Sequence, residues 1–109
     1  MRFDYERSRE LEKAIDETAY LAVSRYVCPE QLEGVRTLGD FGQDAAVAVP
    51  DLILCLKHPH QEVRRAAVLA LGRIGSKADA AVPQLLCLRN DRSRVVRAAA
   101  EKALTSIAA

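Results

Sequence analysis

Three side chains able to ligate a metal fall within six residues: Cys55, His58 and His60, in the string CLKHPH. A thiolate with two imidazoles suits zinc, but a structural zinc needs four such donors. No second cluster completes a tetrahedral set, and Pro59 restricts how the two imidazoles could converge. The string therefore reads as a turn carrying a solvated histidine pair. No metal or other cofactor is expected.

Nucleophilic chemistry finds no better footing. Cys28, Cys55 and Cys87 sit in or beside apolar helical stretches, with no base placed by sequence to activate them. The glycine strings GDFG and GRIG lack the pattern of a phosphate-binding loop and read as helix ends. The segment RNDRSRVVR carries Arg89, Arg92, Arg94 and Arg97, which could contact phosphates at a helix start. No aromatic residue interleaves them, so a stacking platform for bases is missing. A solvated turn, or a docking site for an acidic partner, is the favoured reading. Nucleic acid is the least favoured partner.

Charge adds direction to this. The net charge is +1. It runs from −3 over residues 1–33 (five basic, eight acidic) to +1 over 34–75 (five and four) and +3 over 76–109 (six and three). A global attraction to polyanions is not implied. The start, MRFDYERSRELEK, is too charged for a signal peptide, and no apolar run approaches a membrane span. Three cysteines, an odd number, then read as free thiols in a reducing cytoplasm.

The elements that carry these residues are repeated. Shifting the chain by 33 residues sets 43–75 against 76–108 without a gap, and twelve of the 33 pairs are identical. A fixed period of this length signals a solenoid. The shared Val63, Ala66, Ala67, Ala70, Leu71 and Ile74 lie at i, i+3, i+4, i+7, i+8 and i+11, one stripe of an amphipathic helix. Its small residues let a neighbouring helix come close. This second helix of the unit is expected over roughly 59–74, opened by Pro59 and stopped by Gly72 and Gly75, and again over roughly 92–107. The first helix, DAAVAVPDLILCLK, has Asp44 as a candidate N-cap. Pro50 and Pro83 must either kink it or mark its true start. A worn copy lies over 30–41, and residues 4–27 form a long helix with a charged back, suited to end the stack.

The motif V-R-x-A-A-x-x-A-L-G-x-I-G, preceded by A-V-P-x-L, resembles HEAT repeats, particularly the short repeats of phycobilisome lyases. Val63, Arg64, Ala66, Ala67, Ala70, Leu71, Gly72, Ile74 and Gly75 carry the match, after Ala48, Val49, Pro50 and Leu52. The last repeat matches through Val96, Arg97, Ala99, Ala100, Ala103, Leu104 and Ile107, and departs at Thr105 and Ala108. The resemblance implies an all-α right-handed solenoid of about three HEAT-like repeats with an N-terminal capping helix. It is one domain, 1–109: cap and degenerate repeat over 1–42, second repeat 43–75, third repeat 76–109. The family pattern often has Asp six residues before the Arg, as in Asp91 and Arg97, which implies structural roles for Arg64 and Arg97. Some HEAT-like hydroxylases bind iron through His-Glu pairs, and this chain has none.

Function must then come from positions that differ between copies. Val68 and Leu69 align with Glu101 and Lys102, and Arg65 with Ala98. An apolar spot at Val68 and Leu69, rimmed by Arg36, Arg65, Arg73 and Lys102, would suit a protein partner. The competing reading is that Val68 and Leu69 fill a gap between helices. The favoured function is a non-enzymatic, cytoplasmic protein-interaction module, a small scaffold or adaptor. The resemblance also implies an alternative: a bilin-lyase-like or accessory protein handling a tetrapyrrole or phycobiliprotein. A homodimer through residues 76–109, with Leu85, Leu88, Leu104 and Ile107 near the contact, is expected if the last repeat is left uncapped.

Overall fold

The structure, a computed structural model, describes residues 5–27 and 29–108. Cys28, read above as a free thiol, lies outside the described residues. Among these residues six α-helices follow one another: α1 (Tyr5–Val23), α2 (Pro29–Phe41), α3 (Val49–Cys55), α4 (Gln61–Ile74), α5 (Val82–Cys87) and α6 (Arg94–Ala108). α2, α4 and α6 pack side by side in one layer. α1, α3 and α5, with two seven-residue 3-10 turns, form the other. The shortest dimension of the molecule, 18 Å, is that of two helices face to face. The result is an all-α solenoid of helical hairpins.

The stripe read from the sequence is the core. Val63, Ala67 and Leu71 are fully buried, as are Val96 and Ala100 one period later. The prolines resolve as helix starts rather than kinks. The 3-10 turns Gly42–Ala48 and Gly75–Ala81 bury two alanines each, and α3 and α5 then begin with Pro50 and Pro83 in their first turn. There a missing N–H costs nothing.

Several local expectations are corrected. Asp44 caps no helix; it lies in a 3-10 turn and accepts from Arg7 at 3.1 Å. Pro59 precedes α4, whose N-cap is His60. Gly72 is not a stop. It lies within α4, and a Cβ there would sit 3.2 Å from the Ala103 Cα, so the glycine lets α4 and α6 touch. Gly75 is the stop, with a φ of 77° that disfavours any side chain. The cap of α6 is Ser93, whose Oγ accepts from the Val96 N–H at 3.3 Å, while Asp91 accepts from the Ser93 N–H at 2.8 Å.

The last repeat is also less open than its sequence suggests. Leu85 is fully buried, and Leu88 and Ile107 are 9% and 5% exposed. These three are spent inside the monomer, leaving only half-buried Leu104 of the four residues expected near a dimer contact.

Candidate functional site: a groove on the second-helix layer

Cys55, His58 and His60 do not converge on a common point. The Cys55 thiol is buried and donates to the Thr18 carbonyl at 3.8 Å. Burial, with the Asp51 charge, pushes its pKa up to about 12, so it stays a protonated small hydrophobe. His58 is not solvated as expected; it is 5% exposed, and its Nδ1 accepts from the His60 N–H at 3.1 Å. His60 alone faces water. Among the described residues, no group of three or more His, Cys, Asp or Glu side chains is placed to hold a metal ion. Cys87, aligned with Leu54, does not fill a core site, because both positions are exposed.

Arg64 occupies the seam between the second and third repeats. Its Nε and Nη2 donate to the two oxygens of Asp91 at 3.0 and 3.1 Å, and its Nη1 to the carbonyls of His58 and Pro59 at 2.9 and 3.0 Å. Both side chains are 9% exposed. Arg97 repeats half of this arrangement, donating from Nη1 to the Asp91 carbonyl at 2.6 Å. The equivalent pair one period earlier is Gln31 and His58, and both Gln31 Oε1 and His58 Nε2 are buried without a hydrogen-bond partner. One seam is therefore ionic and the other neutral.

The two seams titrate in the same direction. Burial lowers the pKa of His58 below its ordinary 6.5; the Ser24 backbone opposes this, and the charges of His60, Arg64 and Arg25 add to it. Burial would raise Asp91, but hydrogen bonds from Arg64 and Ser93 and the charges of Arg64 and Arg92 hold it below its ordinary 3.8. In both cases the unfolded chain binds more protons than the folded one, so stability falls on acidification. The His58 contribution is whole above 6.5 and is lost as pH drops toward its lowered folded value; that of Asp91 is lost only below 3.8. Urea midpoints should therefore decline from about pH 7.5 to about pH 5.5, with a second fall below about pH 4. Equal midpoints at pH 7.5 and 5.5 would remove His58 from this account.

The exposed face of the second-helix layer carries the remaining candidates. A groove of about 430 Å³ runs between α2 and α4. Arg36, Arg65, Leu69 and Arg73 line it, four of the six residues singled out by sequence. Leu69 is half-buried in the groove, above Ala66 and Ala70. Val68 is corrected: it is fully buried, filling the space between helices, and no partner can reach it. Lys102 is exposed on α6 but does not line the groove.

Sequence comparison missed the acids of this groove: Glu33, Asp40 and Glu62. Arg36 donates to Glu33 at 2.9 Å and Arg73 to Asp40 at 2.8 Å. The second pair spans 33 residues, one repeat period, so opposite charges one period apart were the available signal. With three acids and three bases the groove has no net pull on a polyanion. A second groove of about 340 Å³ shares Glu62 and Arg65 and continues to Ser93 and the half-exposed Val95 on α6.

A stack of helical hairpins with a shallow, charge-balanced trough along one layer defines a helical-repeat protein. A family model described as HEAT repeats matches residues 29–105, and the chain belongs to the HEAT-repeat family. The match is to the repeats and not to phycobilisome lyases in particular. No curated protein matches the sequence. HEAT repeats commonly serve in protein interactions and are generally non-enzymatic. Among the described residues, no helix is long and apolar enough to cross a membrane.

Proposed function

We propose that this protein is a non-enzymatic scaffold or adaptor of the cytoplasm that binds another protein along the α2–α4 groove. One observation supports this above the rest: Leu69 lies in an open trough whose walls are ion-paired Arg36 and Arg73, with Arg65 beside it. An apolar floor inside a polar rim is how protein-binding surfaces are built. Leu69→Lys, which copies the exposed Lys102 one period later, is expected to lower the melting temperature by only about 5 °C, because the lysine stem covers part of what half-buried Leu69 covers while its head reaches water. It should remove from affinity captures the protein that the unaltered chain retains. Identical captures from the two forms would overturn the groove as the binding surface. Val68→Glu, one residue earlier, should instead unfold the chain.

The homodimer through residues 76–109 is a separate proposal. With Leu85, Leu88 and Ile107 spent inside, its contact would have to use Leu86, Val95 and Leu104. Light scattering should then show a mass rising toward twice 12.0 kDa with concentration. A constant monomer mass at several hundred micromolar would end it.

A further inference from the structure

We propose that the C-terminal edge of the stack docks an acidic segment of a partner protein, one carboxylate of which is held by the fork of Arg97. The molecule contains its own precedent. Arg64, anchored to the carbonyl six residues before it, closes its Nε and Nη2 on the Asp91 carboxylate. Arg97 is anchored to the carbonyl six residues before it in the same way. No carboxylate among the described residues meets its fork.

The surroundings of Arg97 suit a polar partner. Fully buried Val68 is matched one period later by exposed Glu101, and Gly72, which lets α6 approach, by exposed Thr105. The edge is also cationic. Asp91 is committed to Arg64, and Glu101 lies 3.6 Å from Arg89, while Arg92 and Arg94, in the turn before α6 and at its first residue, are exposed. A planar guanidinium held at one nitrogen matches a carboxylate through two parallel hydrogen bonds. Phosphate chains of nucleic acid would favour more cations and an aromatic platform. The exposed tyrosines, Tyr5, Tyr20 and Tyr26, all lie in the first hairpin.

The experiment uses the unaltered, ¹⁵N-labelled chain. The Arg Nε–H signals are assigned through bonds and followed while the peptide acetyl-Glu-Asp-Pro-Ser-Glu-amide is added. The Arg97 Nε–H should move and saturate at millimolar peptide, while Arg64, already paired, stays still and serves as internal reference. The same peptide with Asn for Asp should bind about tenfold more weakly, the loss of one charge-assisted pair. No movement of Arg97 by about 10 mM peptide overturns the proposal, as does an equal response to the Asn peptide. A short DNA duplex that moves Arg97 where the peptide does not would also overturn it, reassigning the edge to phosphate. The amide signals of Leu69 and its groove should not respond, so this outcome is independent of the groove's partner.

Discussion

Leu71→Asp is expected to abolish the helical circular-dichroism signal at 25 °C. Leu71 is fully buried near the end of α4, the helix that packs on both α2 and α6. A carboxylate there loses its water and finds no partner, at a cost of several kcal/mol or more. A domain of this size is stable by only about 5–15 kcal/mol. The substitution also falls in the helix that makes both inter-repeat contacts, and in a stack each repeat is stabilised only by its neighbours. A native spectrum with a melting temperature within about 3 °C of the original would refute the placement of α4 at the centre.

Arg64→Ala should rank next, although it removes no apolar surface of note. It leaves the Asp91 carboxylate buried with the Ser93 N–H as its remaining close donor, and strips two carbonyls of theirs. Removing one partner of a buried pair typically costs about 3–5 kcal/mol. For this chain length that lowers the melting temperature by roughly 12 °C or more. The double variant Arg64→Met with Asp91→Leu should recover most of the loss, because the uncompensated charge goes with the arginine. By contrast, Arg36→Ala breaks an exposed pair with Glu33, worth about 1 kcal/mol or less. Thermal melts of the four proteins test the order; a drop of under about 3 °C for Arg64→Ala would mean that the seam is not ionic.

The repeat was legible because core packing of helices writes itself as a stripe of Ala, Val and Leu at helical spacing, twice over. The same comparison misled where equivalent positions do not share an environment. Val68 is fully buried and Glu101 is exposed, so their difference reflects burial and not a binding spot. Gly72 read as a terminator because glycine has two uses, and only the proximity of Ala103 tells close approach from chain reversal. His58 read as solvated because its burial depends on contacts beyond its own turn. Arg36, Arg65, Leu69 and Arg73 could be picked out because they vary between copies. Their acidic partners were hidden, because a search for differences passes over charges that pair across one period, as Asp40 and Arg73 do.

The layered packing of hairpin on next hairpin has a kinetic consequence. Substantial contacts join each element to ones nearby in the chain: α1 to α2 and α3, α2 to α4, and α6 to α4 and α5. Among the described residues, no strand pairing brings distant segments together. The loops that must close before contacts form are short, so little chain freedom is lost ahead of each gain. Low contact order of this kind goes with folding in microseconds to milliseconds. The chain can begin from any adjacent pair of hairpins and extend by accretion, rather than waiting for its two ends to find each other.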